Sequence, residues 1–176
     1  MINKLLQLDA DFSQRIRIAE NPGIIRSLAI LFAHSGDSWF WLLGLAALYW
    51  LGSEPWKVRA IWMTVSILAT AALVFAIKMV TRRQRPAGEW GAIYRKTDPH
   101  SFPSGHAARA ALLVTLALGL GPAWFGWLLL TWAPLVILAR VAMGLHYVSD
   151  VLAGALLGVM IGCGVLFFFP PPPIPF

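Results

Sequence analysis

Long apolar runs separated by short polar breaks set the layout of this chain. Ser38 to Ser53 is the first uncharged run, rich in Trp and Leu, and Glu54-Pro55 ends it. Ala60 to Ile77 is the second, entered through Lys57 and Arg59 and left through Lys78. Ala110 to Ala139 carries no charge and exceeds the roughly 20 residues that one crossing of a bilayer needs. It reads as two helices with Gly121-Pro122 as the turn between them. Asp150 opens the last run, Val151 to Phe169. These runs are far longer than barrel strands and do not alternate, so the pattern predicts helices. The expectation is an all-α integral membrane bundle of about five transmembrane helices (five to six), with an interfacial helix at the N-terminus.

The flanks fit one domain over residues 1–176. Residues 1–20 interleave Ile2, Leu5, Leu6, Phe12, Ile16 and Ile18 with charges, a pattern too polar to span and suited to the membrane surface. Ile24 to Ala33 is apolar apart from Arg26 but short, and predicts a helix packed on the bundle. Residues 1–36 therefore read as interfacial N-terminal helices. Residues 81–104 are the long polar loop, and Pro170 to Phe176 is an extended proline-rich tail. Met1 to Asn21 holds Asp9, Asp11, Arg15, Arg17 and Glu20, so it does not read as a cleavable signal peptide.

Composition agrees with a bilayer as the solvent. The chain is 59% hydrophobic and 12% charged, against roughly 25% charged in soluble domains. Its nine Trp suit the membrane interfaces. A lone Cys163 in an apolar run builds neither an intrachain disulfide nor a metal site. The net charge of +6 is concentrated: Arg82, Arg83, Arg85, Arg95 and Lys96 share the polar loop. The plain reading of that loop is an anchor to anionic headgroups. Nucleic acid is excluded as a partner, because the bilayer covers the remaining surface.

Counting crossings places the polar residues. Lys78 ends one span, and the loop carries Arg85 and His106. The hairpin crosses and returns at Arg140, and the last span leaves from Asp150. Lys78, Arg85, His106, Arg140, His146 and Asp150 thus arrive at one face of the membrane. Lys78 and Arg85 lie two helical turns apart and can share a side; a point charge beside a planar fork suits a phosphoryl group, and a snorkelling helix end is the alternative. Pro103-Ser104-Gly105-His106 joins turn residues, a capping serine and an imidazole at a helix N-terminus, where free N–H groups attract anions. Its alternative is a plain cap with a surface histidine. His146 and Asp150 are four apart and touch on a helix; a carboxylate on one ring nitrogen fixes the tautomer and leaves the other free to attack. A buried ion pair is the alternative, but ionisable groups at membrane depth are costly and usually functional. Metal binding is the competing chemistry: two histidines and one aspartate offer few ligands, and Lys78, Arg85 and Arg140 repel a cation. Ser104 as nucleophile has no base at a set spacing.

Lys-x6-Arg-Pro from Lys78 to Pro86, Pro-Ser-Gly-His from Pro103 to His106, and Arg-x5-His-x3-Asp from Arg140 to Asp150 occur in that order. Together they resemble the type 2 phosphatidic acid phosphatase (PAP2) superfamily of membrane lipid phosphatases and related acid phosphatases. The resemblance covers residues 78–150. It implies a helical bundle and a phosphatase that works without metal or other cofactor through a phosphohistidine. Carried over by position, His146 is the nucleophile and Asp150 orients it. His106 is the acid for the leaving oxygen and then the base for water. Lys78, Arg85, Ser104, the backbone N–H of Gly105 and Arg140 hold the phosphoryl oxygens. The family usually has serine before the third-motif arginine; Ala139 stands here, which predicts one weaker hydrogen bond near the site.

The implied partners are the bilayer and a lipid phosphate: phosphatidic acid, phosphatidylglycerophosphate, undecaprenyl pyrophosphate or phosphorylated lipid A. The implied place is a bacterial inner membrane with the site on the periplasmic or extracellular face, whereas the Lys and Arg count alone puts that basic face inside. Two other functions use the same features. A phosphotransferase would pass the phosphoryl group to an acceptor other than water. A transporter or anion-binding protein would use the polar residues as a pathway, but five spans without an inverted repeat argue against it.

Overall fold

The computed structural model describes residues 2–19, 21–88, 90 and 98–168. Among these the chain forms helices α1 (Ile2–Arg15), α2 (Ile24–Ser35), α3 (Ser38–Leu51), α4 (Glu54–Thr81), α5 (Gly105–Leu120), α6 (Ala123–Ala142) and α7 (Val148–Phe168). No strand occurs among the described residues; Gln84 and His100 make an isolated bridge. Arg95 and Lys96 of the polar loop and the tail from Pro170 to Phe176 lie outside the described residues.

Among the described residues three helices, α4, α6 and α7, are each long and apolar enough to cross a membrane, and α2 and α3, bent by 54° at their junction, are so only when taken together as one broken segment. The fifth expected segment, α5, is apolar but has only 16 residues. It can be short because it is the bundle's centre: every residue from Ala107 to Val114 is buried, packed among α4, α6 and α7. Helix α4 begins earlier than the apolar run. Glu54-Pro55 follows the end of α3 at Leu51, as expected, and also starts this helix, since a proline in the first turn forfeits no hydrogen bond, and Glu54 pairs there with Lys57 at 2.7 Å. The Gly121-Pro122 hairpin forms as expected, with Gly121 at φ 57° and Arg59 Nε donating to the carbonyls of Leu120 (3.1 Å) and Gly121 (2.5 Å).

Helix α1 turns its apolar side outward. Leu5, Leu6, Leu8 and Phe12 are exposed, as an interfacial helix requires. Its polar side caps α7 from a distance. Ser13 Oγ accepts from the Val148 N–H (2.9 Å) and Asp9 Oδ1 from the Ser149 N–H (3.1 Å), while Asp150 Oδ2 accepts from the Tyr147 N–H (2.9 Å). The free N–H groups that open a helix are thereby satisfied by a helix far away in sequence.

Glycines set the closest contact in the bundle. A Cβ built on Gly154 would lie 2.4 Å from the Ser104 carbonyl oxygen, one on Gly158 2.0 Å from the Ala108 oxygen, and one on Gly162 2.7 Å from Thr115 Cβ. The contacts advance together along both helices, so α5 and α7 run parallel and open at the same face. Small residues at four-residue spacing let membrane helices approach to backbone contact.

Gly158→Ala is therefore expected to cost about 1–3 kcal/mol, because the two backbones must part. Gly164→Ala, where nothing lies within 4 Å, is expected to be neutral or to stabilise by up to about 1 kcal/mol through helix propensity. Thermal unfolding of the two variants in detergent decides; equal shifts would refute the contact.

Candidate active site

The local sequence brings each polar residue to the common opening of α5 and α7. Helix α6 ends at Ala142 and Gly144 follows at φ 67°, the left-handed conformation that glycine adopts freely after a helix. The Arg140 carbonyl takes the N–H groups of Leu145 (3.0 Å) and His146 (3.2 Å), so the turn is tight and His146 points back into the bundle. Ser104 caps α5, its Oγ accepting from the Ala107 N–H (3.4 Å). The Ser104 N–H donates to the Asp150 carbonyl (3.0 Å), which ties the start of α5 to the first turn of α7. Beyond α4, Arg82 takes a left-handed cap at φ 49°, and the Ser101 N–H donates to the Arg83 carbonyl (2.8 Å). That clip holds both ends of the polar loop over the helix openings.

These residues line one cavity of about 320 Å³. Lys78, Arg85, Gly105, His106, Arg140 and His146 form its polar end, and Ile67, Ala71, Val74 and Phe75 of α4 its apolar wall. The six residues that the crossing count assigns to one face thus meet, with Asp150 behind His146 instead of on the cavity. Ser104 is fully buried at the helix cap and is not part of the lining.

His146 is 1% exposed. Its Nε2 lies 3.2 Å from Arg85 Nη1. A guanidinium has only protons to offer, so this contact needs a lone pair on Nε2. Its Nδ1 lies 3.5 Å from Asp150 Oδ2, an electrostatic contact longer than a hydrogen bond. Burial, and then the charges of Arg85, Arg140 and Lys78, push the imidazole well below its ordinary value of 6.5. The ring is held neutral. Arg85 is further fixed by donating to the carbonyls of Leu145 (2.9 Å) and Asp98 (2.7 Å).

The sequence pattern does not flag four residues that complete this site. Asp98 accepts from Arg85 Nη2 (2.8 Å) and from Lys78, and Lys78 also donates to the His100 carbonyl (3.0 Å). Burial pushes the Asp98 carboxyl up, but the Lys78 hydrogen bond and the charges of Lys78 and Arg85 outweigh it and hold it below 3.8. Arg83 reads from the sequence as one of several headgroup anchors. It instead turns inward, donating to Asp150 Oδ1 (2.7 Å) and Asp9 Oδ2 (2.7 Å) with its guanidinium 4.1 Å above the Tyr147 ring. Asp37 accepts from His106 Nε2 (2.7 Å). The partners of Asp9, Arg83 and Asp37 are dozens of positions away, so local spacing carries no sign of them. Ala139 sits in an apolar cluster with Ala29, Ala33, Met143 and Leu145 and is not on the cavity lining.

Comparison with known proteins covers the stretch that carries these residues. The sequence pattern of the PAP2 superfamily matches residues 59–171. Decaprenylphosphoryl-5-phosphoribose phosphatase of Mycobacterium tuberculosis is 33% identical over 82% of this chain and 80% of its own length. A probable lipid phosphate phosphatase beta of Arabidopsis thaliana is 28% identical over 90% and 87%. Two solved structures share the fold. Aquifex aeolicus LpxE has a TM-score of 0.69 at 23% identity, covering 88% of this chain and 93% of that one. A PAP2 type phosphatidylglycerolphosphate phosphatase from Bacillus subtilis has a TM-score of 0.74 at 23% identity, covering 94% and 86%. All three motifs fall inside the matched stretch and converge on one cavity of an all-helical membrane bundle: the chain belongs to the PAP2 superfamily.

Proposed function

We propose that this protein hydrolyses the phosphomonoester or pyrophosphate of a membrane lipid through a phosphohistidine intermediate, without a metal. The observation that carries the reading is a neutral, buried His146 with its Nε2 lone pair on the same cavity as His106 and the four cations Lys78, Arg85, Arg109 and Arg140. His146 Nε2 attacks phosphorus, and the P–O bond to the lipid breaks as His106 gives its proton to the leaving oxygen. His106 then takes a proton from water, the water oxygen attacks phosphorus, and the P–N bond breaks to release inorganic phosphate. Lys78, Arg85 and Arg140 neutralise the equatorial oxygens, with the Gly105 N–H at the positive end of α5. Ser104 holds that helix end in place. Asp150 lies on the Nδ1 side of His146 and balances the charge that the ring gains.

The cavity's shape supports a lipid. Its polar end takes the phosphate, and its apolar wall on α4 lies below Lys78, where an alkyl chain would run into the bilayer. Phosphatidic acid, phosphatidylglycerophosphate, undecaprenyl pyrophosphate and phosphorylated lipid A all meet that description. The same reading puts the cavity on the periplasmic face of a bacterial plasma membrane. The Lys and Arg bias argues weakly against it, since Lys78, Arg83 and Arg85 make internal bonds and Arg140 is buried.

Phosphate release from a panel of these lipids tests the reading. His146→Ala is expected to lower turnover by about 10⁴-fold or more, and His106→Ala by about 10²- to 10⁴-fold, with both proteins folded. Vanadate, a phosphate mimic, should inhibit and EDTA should not. Full activity in His146→Ala would sink the mechanism, and inhibition by EDTA would restore the metal.

Histidine ¹⁵N spectra at pH 6 should show His146 neutral, where an ordinary histidine with a pKa of about 6.5 is mostly charged. The sign for stability follows. Below about 6.5 the unfolded chain binds the proton that the folded site refuses, so His146 costs stability as pH falls through that value. A charged His146 ring at pH 6 would contradict this.

A further inference from the structure

We propose that Asp37 is a positioning residue for His106, an orienting carboxylate on the second histidine of the site. The proposal rests on the proton-transfer role of His106 given above. Asp37 occupies the N-cap position of α3, yet its side chain makes no cap hydrogen bond. An N-cap aspartate ordinarily accepts from the first turn of its own helix. This one faces the other way: Oδ1 accepts from His106 Nε2 (2.7 Å) and Oδ2 from His34 Nδ1 (3.1 Å).

The turn that carries Asp37 is built against His106. A Cβ on Gly36 would lie 3.2 Å from His106 Cδ2 and 2.8 Å from Val136 Cγ1, so only glycine fits without a shift. Arg109 donates to the Gly36 carbonyl. Trp41 Nε1 donates to the Ser35 carbonyl (3.0 Å) and Trp132 Nε1 to Ser35 Oγ (2.9 Å). The bend between α2 and α3 is thus pinned from α3, α5 and α6 at the point where its carboxylate meets the imidazole.

The contact decides which nitrogen works. Asp37 has only lone pairs to offer, so Nε2 carries a proton and Nδ1 is left for the cavity that His106 lines. In the charged ring, Nδ1–H is the acid and Asp37 balances the charge. In the neutral ring, Nε2–H stays on Asp37 and the Nδ1 lone pair is the base for water. One carboxylate therefore serves both halves of the reaction. The charged and titratable groups around the pair are Arg109 on α5, Arg140 on α6, Lys78 on α4, and His34 on the turn's outer side.

Leaving-group dependence separates this role from a structural one. Asp37→Asn is expected to lower kcat on a long-chain alkyl phosphate by about 10- to 1,000-fold with little change in KM, because a poor leaving group needs its proton. On p-nitrophenyl phosphate, whose leaving group departs unaided, kcat/KM, which reports the step that forms the phosphohistidine, should fall only a few-fold, while kcat, which includes the water step that His106 also serves, falls further. His106→Ala should show the same split, and the double variant should be no worse than His106→Ala alone. Equal losses of kcat/KM on both esters, or additive losses in the double variant, would overturn the proposal. A second measurement needs no variant: ¹⁵N spectra of the wild-type protein should show neutral His106 with its proton on Nε2, and the opposite tautomer would overturn it. Full activity of His146→Ala instead removes the parent mechanism, which the Asp37 variants alone leave intact.

Discussion

The backbone contact between α5 and α7 is the constraint on which the site depends. Gly154 lies against the Ser104 carbonyl and Gly158 against the Ala108 carbonyl. No side chain separates the two helices at their opening. Because they run parallel, their N-termini and positive dipole ends converge on one small region. His106 sits in the first turn of one helix and His146 just ahead of the other. The Ser104 N–H to Asp150 carbonyl bond (3.0 Å) fixes the offset between them. A bulkier residue at Gly154 or Gly158 would move the two imidazoles apart even though it touches neither.

Convergence of dipoles and cations creates an electrostatic problem that the rest of the chain answers. Lys78, Arg85, Arg109 and Arg140 are all buried on the cavity. Burying cations without partners is prohibitive. Each acid near the opening is engaged accordingly: Asp98 with Lys78 and Arg85, Asp150 and Asp9 with Arg83, Asp37 with His106. These acids come from α1, the α2–α3 bend, the polar loop and α7. Helix α1 is therefore part of the site's support through Asp9 and Ser13, although its apolar side faces outward.

Much of this was legible before any coordinates, and the reason is physical. Apolar runs long enough to cross a bilayer leave few topologies, so counting crossings brings Lys78, Arg85, His106, Arg140 and His146 to one face. Helical spacing pairs His146 with Asp150 locally. The same logic does not reach the reason α5 can be short, which is burial inside the bundle, or that Pro55 opens α4 as well as following the end of α3. It fails for Asp37, Asp9 and Arg83, whose partners lie across the fold. The glycines at 154, 158 and 162 gain their meaning only from the Ser104 and Ala108 carbonyls and the Thr115 side chain that face them. Ala139 shows the converse: a position that looks functional beside Arg140 faces α2 and serves packing.

Asp98 raises the question of how an anion gains entry to a pair of cations that already has one. Lys78 and Arg85 side chains are 5% and 1% exposed, whereas that of Asp98 is 41% exposed. The cations are also held by bonds that do not involve the Asp98 carboxylate: Lys78 on the His100 carbonyl, and Arg85 on the Leu145 carbonyl and the His146 ring. Displacing the carboxylate returns an already half-wet group to water, which costs little. Moving either cation would strand a buried charge, which costs several kcal/mol. The asymmetry selects the partner that leaves. On the proposed function, a doubly charged phosphoryl group reaching the cavity would displace Asp98 and inherit an arrangement of Lys78 and Arg85 that is already in place without it.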